Sequence, residues 1–136
     1  MLYVDTHLHA KEDIVRIRAE DRRASTTILA LLKLIEADPA VIDKLTTYGD
    51  NSFGNLNVNV KPWEAPGKAN NLWRLRAFDA TATSYRIVYG YQYKRHPRRI
   101  YILAVVKKGD CPEDFNYDTT SETGKRILSD WRDIQA

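Results

Sequence analysis

Residues 72–108 constrain the fold more than any other stretch, because their hydrophobic pattern has the two-residue period of a pleated strand with one buried side. Trp73, Leu75 and Ala77 alternate with Arg74 and Arg76, and Tyr85, Ile87, Tyr89, Tyr91 and Tyr93 alternate with Arg86, Val88, Gly90 and Gln92. Residues 100–106 are apolar throughout, which predicts a central strand covered by helix on one side and shielded by side chains on the other. The connections, residues 78–84 and 94–99, are short and polar. They permit hairpins but not parallel crossovers, so strands near 72–78, 85–93 and 100–107 are expected as an antiparallel meander. Arg74, Arg76 and Arg86 project from it and Lys107 and Lys108 close it, so the meander is expected to gather five positive charges on one surface.

At 136 residues the chain is expected to form a single domain, 1–136. A net charge of +3 and a pI near 9.0 permit a polyanionic partner without requiring one. Cys111 stands alone and forms no internal disulfide; with no signal peptide and no long apolar run, a cytoplasmic protein without membrane contact is expected. No sequence-near base activates Cys111, which reads as an ordinary loop thiol.

Residues 2–8 alternate and predict a short first strand at a sheet edge. The stretch Val4-Asp5-Thr6-His7-Leu8-His9 resembles the opening metal motif of amidohydrolases and related barrels. Such barrels need about 250 residues, and His96 is the only other histidine, so too few imidazoles remain for that site and no metal is expected. Residues 11–37 shift to a helical period, with Ala24, Ile28, Leu31, Leu32 and Ile35 on one stripe, and Ile14 and Ile17 in a shorter preceding helix or in the same one. The charges at residues 16–23 read as a solvated face. Asp38 and Pro39 restart a brief helix to about Leu45. Residues 46–71 are rich in turn formers, although Leu56, Val58 and Val60 alternate with Asn55, Asn57, Asn59 and Lys61 as a short strand or edge ribbon would. The tip at residues 94–99 is strongly basic, serving either to keep a hairpin soluble or to contact phosphate through Lys94 and Arg95. Thr119 and Glu122 have the spacing of a capping box, and Ile127, Trp131 and Ile134 predict an amphipathic closing helix.

The ordered set Trp73-Arg74-Leu75-Arg76, Tyr85-Arg86-Ile87-Val88-Tyr89, Ile102-Leu103-Ala104-Val105-Val106-Lys107-Lys108 and Phe115-Asn116-Tyr117 resembles the RelE/ParE superfamily of bacterial toxins, small proteins encoded beside an antitoxin. It covers roughly half the chain; the helical half matches only in the order of elements. The resemblance implies an α+β fold, a small antiparallel sheet packed against N-terminal helices with a C-terminal helix, of the RelE-like, microbial-ribonuclease type. It implies an endoribonuclease that cleaves messenger RNA on the ribosome, needs no cofactor, and has a cognate antitoxin as its protein partner. Carried over by position, the catalytic group is Arg74, Arg76, Arg86, Lys108 and Tyr117, the last beside the scissile nucleotide, with Lys107 as a further RNA contact. Relatives in the RelE branch often carry lysine at the basic pair; Arg74 and Arg76 can supply positive charge but cannot act as the general base. Two other functions stay open: a ParE-like poison of DNA gyrase, and a toxin-fold interaction module without catalysis.

Overall fold

The computed structural model describes residues 3–109 and 114–136; Leu2, at the start of the first expected strand, and Cys111 lie outside the described residues. A short strand β1 (Val4–Thr6) leads into helices α1 (Leu8–Glu20), α2 (Arg22–Ala37) and α3 (Val41–Leu45). Strands β2 (Gly49–Phe53), β3 (Leu56–Pro62), β4 (Leu72–Ala77), β5 (Tyr85–Gln92) and β6 (Arg99–Lys107) follow, and helix α4 (Glu122–Gln135) closes the chain. The strands form one sheet in the order β1-β6-β5-β4-β3-β2. Strands β2 to β6 pair antiparallel, as the meander requires, while β1 lies parallel to β6 with Val4 opposite Ile100 and Thr6 opposite Ile102. The sheet is therefore mixed, and the fold is α+β. No helix among the described residues is long and apolar enough to cross a membrane.

Local chemistry sets the helix boundaries. The His7 side chain accepts from the backbone N–H of His9 and caps α1. Asp21, in an extended conformation, ends that helix and caps α2 by accepting from Ala24 N–H, so the helical stretch is two helices. At α4 the cap is Ser121, whose hydroxyl accepts from Gly124 N–H; the expected Thr119–Glu122 box does not form, because Glu122 is already the first helical residue. Strand β2 was not foreseen. It pairs with β3 through a two-residue loop whose first residue, Gly54, sits at φ 59, a backbone glycine adopts freely.

The sheet is covered on both faces. On one face α1 and α2 bury Ile14, Ile28, Leu31 and Ile35 against Leu75, Ile87, Tyr89, Ile102 and Val105. On the other, α4 packs Ile127 and Trp131 over Leu72, Val88, Leu103 and Ala104. Val88 pairs with Ala104 and Tyr89 with Ile102, which leaves Leu103 as an extra residue in a bulge. The unbroken apolar run in β6 follows: with helices on both sides and a bulge in the middle, no position between Ile100 and Val106 except Tyr101 meets solvent appreciably.

Candidate nucleic-acid site

The register of β3, β4 and β5 aims a row of cations at the α4 side of the sheet. Arg74 lies opposite Lys61 on β3 and Val88 on β5, and Arg76 lies opposite Asn59. Arg86 is two residues before Val88, on the same face by the strand period. Helix α4 covers the far end of that face, where the Trp131 ring lies directly over Gly90 and a Cβ on residue 90 would come within 2.6 Å of it. The end bearing the arginines is left uncovered by the helix.

A returning loop builds the wall. Lys108 N–H donates to Ser84 O, Phe115 N–H donates to Lys107 O, and Gly109 N–H donates to Phe115 O, which fixes Phe115 and its neighbours beside the end of β6. The buried Phe115 ring meets Trp63 edge-on with centroids 5.6 Å apart, and Trp63 Nε1–H donates to Tyr117 O at 3.2 Å. Tyr117 adopts φ 59, a left-handed backbone that costs a bulky side chain on the order of 1 kcal/mol. The result is a cleft of about 590 Å³ whose lining includes Lys61, Trp63, Arg74, Arg86, Lys108 and Tyr117, with Tyr48, Glu64 and Asn116 exposed at its rim.

Within the cleft the cations are held in place. Arg74 Nη1 donates to both the carbonyl and the side-chain oxygen of Asn59, at 3.2 and 2.8 Å. Arg86 Nη1 donates to the carbonyls of Thr83 and Tyr85 at 2.8 and 3.0 Å. Burial lowers the Arg86 pKa; the Tyr117 hydroxyl opposes that effect and the nearby Arg74 and Arg76 reinforce it. A guanidinium remains charged through such a shift. Burial raises the Tyr117 phenol, against the opposing pull of Arg74 and Arg86, so near neutrality it is a neutral donor. Although its hydroxyl faces Arg86 closely enough to interact, the phenol oxygen makes no hydrogen bond of good geometry, and neither does Arg76 Nε. Fixed guanidinium groups with an ammonium and a neutral phenol beside them suit an anionic, oxygen-rich ligand such as a phosphodiester.

Arg74, Arg86, Lys108 and Tyr117, expected to act together, share the cleft. Arg76 is not among the residues that line the cleft; its guanidinium lies 5.0 Å from the Phe78 ring, within electrostatic reach of Arg86 and Tyr117. Lys107 departs from the expected five-cation surface: it pairs with Tyr85, whose side chain faces α1 and α2, so it projects from the opposite face. Lys94 and Arg95 lie past the other end of β5, which at Gln92 is already roughly 20 Å along the strand from Arg86 at about 3.3 Å per residue. There Arg95 donates to the carbonyls of Gln135 and Ala136, and Lys94 lies 5.9 Å from the Tyr93 ring. Lys61, Trp63 and the positioning residue Asn59 were not anticipated. Lys61 carried a signal, since it continues the polar side of the alternation through Asn57 and Asn59; Trp63, in a turn-rich stretch, carried none. Comparison with protein-family models, curated proteins and solved structures finds no match to this chain.

Proposed function

We propose that the chain is the toxin of a type II toxin–antitoxin pair, a RelE-like endoribonuclease that cuts messenger RNA on the ribosome, with the basic cleft as the seat of the scissile phosphate. One observation carries this reading: Arg74, Arg86 and Lys108 converge on a single cleft walled by Trp63 and Tyr117. A phosphodiester fits between the cations, and an unpaired base can stack on the aromatic wall. In the reaction the 2′-oxygen forms a bond to the adjacent phosphorus while the bond to the 5′-oxygen breaks. The cations stabilise the charge that develops on the phosphoryl oxygens. The 2′-hydroxyl proton cannot pass to an arginine, nor to a phenol held in its protonated form. Of the groups lining the cleft, the Glu64 carboxylate can accept it; Lys108, water or a group of the ribosome or RNA is the other route. The cognate antitoxin is expected to set carboxylates against the same cations.

The test is expression in a bacterial host with and without a co-encoded acidic partner, together with single-turnover cleavage of message on programmed ribosomes. Arg86→Ala should slow cleavage by about 3 kcal/mol, roughly a hundredfold or more, and Arg86→Lys should recover part of that loss because charge survives while the fork geometry does not. Equal rates for wild type and Arg86→Ala would remove the reading. Growth arrest with intact messages and a DNA-damage response would turn it toward a gyrase poison.

A further inference from the structure

His7 caps α1, His9 lies in the first turn of that helix, and Asp130 comes from α4, 121 residues away from His9. Asp130 Oδ2 is 2.7 Å from His9 Nδ1 and 3.7 Å from His7 Nδ1, and one ligand atom from each of the three residues lies within 4.8 Å of the others. We propose that these side chains form a binding site for a divalent transition-metal ion of borderline softness, zinc foremost, that shares no residue with the basic cleft.

The donor set is two imidazoles and a carboxylate, the N,N,O combination that suits zinc and its neighbours and leaves further positions for water. Zinc bonds of about 2.0–2.1 Å at tetrahedral angles place ligand atoms roughly 3.4 Å apart. The observed separations of 2.7 and 3.7 Å straddle that value. Ligation by His7 requires more than a small adjustment: its Nδ1 lone pair accepts from His9 N–H, so the ring must either give up that cap bond or turn to present Nε2. Charge points the same way. Asp130 is 7 % exposed, and among the described residues no lysine or arginine forms an ion pair with it; its polar neighbours are the two imidazoles. Asp13, the other buried aspartate, has Arg126 and Arg16. A divalent cation would supply a countercharge to Asp130, and the partly exposed rings of His7 and His9 leave it a path from solvent. The sequence argues against the barrel motif because the chain is too short for such a barrel and His96 is the only other histidine; Asp130, brought in by the fold, makes a three-ligand set with His7 and His9 alone. Such an ion would tie the β1–α1 junction to α4.

Cobalt titration of chelator-treated full-length protein tests this, followed by zinc competition and thermal unfolding with and without zinc. One equivalent of cobalt should bind with the visible d–d bands of a low-coordinate site, zinc should displace it, and zinc should raise the unfolding temperature through preferential binding to the folded state. Asp130→Asn, which keeps a hydrogen-bond acceptor for His9, and His9→Gln should each weaken binding at least about tenfold. His7→Asn supplies another good cap but no imidazole, so weakened binding by this variant separates ligation from helix capping. His96→Asn should bind as wild type does. Absence of a one-to-one cobalt complex, or binding to Asp130→Asn equal to that of wild type, overturns the proposal. Should His9→Gln fail to fold, Asp130→Asn and His7→Asn carry the comparison.

Discussion

The Asp13 carboxylate, 1 % exposed, accepts from both terminal nitrogens of Arg126, at 2.9 and 2.7 Å, and so joins α1 on one side of the sheet to α4 on the other. The arrangement follows from the shortness of β1. That strand covers the edge of β6 only as far as His7 N–H donating to Ile102 O; beyond it Asp13 Oδ2 takes the Val105 N–H at 3.0 Å, so a side chain completes the edge. Arg126→Met should therefore cost about 3 kcal/mol in urea unfolding, because it strips the charge-assisted pair from a buried carboxylate. Asp13→Asn combined with Arg126→Met should recover part of the loss, since an amide oxygen still accepts from Val105 without needing a cation. A double variant as unstable as the sum of the two single variants would show that the pair contributes nothing beyond its members.

Gly90 is required by Trp131 rather than by the strand. A methyl at residue 90 would overlap the indole at 2.6 Å, and neither the sheet nor α4 can withdraw without opening the packing around Leu72 and Ile127. Gly90→Ala is expected to destabilise by about 1–3 kcal/mol, the range for overpacking a filled core. In a double-mutant cycle, adding Trp131→Leu should cost less in the Gly90→Ala background than in wild type. Additive effects would mean that the close approach carries no strain.

What the sequence made legible is what a single strand or helix decides by itself. The alternation in β4 was readable because Leu75 and Ala77 are buried against the helices on one face while Arg74 and Arg76 occupy the other; β5 is largely buried on both faces, and Arg86 marks its second face as polar. The pairing of Lys61 with Arg74 was not readable, because it depends on the register between β3 and β4, and the intervening chain is an irregular connection with a single 3-10 turn. Strand β2, Gly-Asp-Asn-Ser-Phe, has poor strand propensity and exists through its pairing with β3. Lys107 and Lys108 were assigned to one surface even though neighbours on a strand point to opposite faces; the strand period already contained the correction. The meeting of His9 with Asp130 spans 121 residues and leaves no local trace.

Acid should act on the junction between α2, α3 and β2. The Asp38 carboxylate accepts from the Lys44 ammonium and from Ala40 N–H, and Lys44 also donates to Ser52 O on β2. The Lys44 bond, followed by the backbone bond, lowers the Asp38 pKa from its ordinary value of 3.8. The unfolded chain consequently takes up the proton first as pH falls. The contribution of this group is complete above the unfolded value and disappears as pH drops from about 5 through the lowered folded value. Asp38→Asn should flatten the stability–pH curve below about pH 5, measured by urea midpoints, while leaving the neutral plateau lower. An unchanged slope in the variant would assign the acid limb to other carboxylates.

Tyr117 offers the sharpest separation of stability from activity. Its phenol oxygen is buried without a hydrogen bond of good geometry, and its backbone is held at φ 59, two costs that packing of the Phe115 and Trp63 rings must outweigh. Removing a buried polar group that lacks a partner is neutral or favourable, so Tyr117→Phe should leave the unfolding free energy unchanged or raise it by up to about 1 kcal/mol. If the cleft holds a scissile phosphodiester, the same change deletes a neutral donor from its wall, beside Arg86, and should slow single-turnover cleavage about tenfold, with stacking on the ring retained. Tyr117→Ala should lose both the donor and the stacking surface, weakening RNA binding as well as slowing the chemical step. A Phe variant that is more stable and cuts as fast as wild type would reduce Tyr117 to a wall of the cleft. A Phe variant that is less stable would mean that the hydroxyl finds a partner in solution, and would remove the argument that it is kept for a ligand.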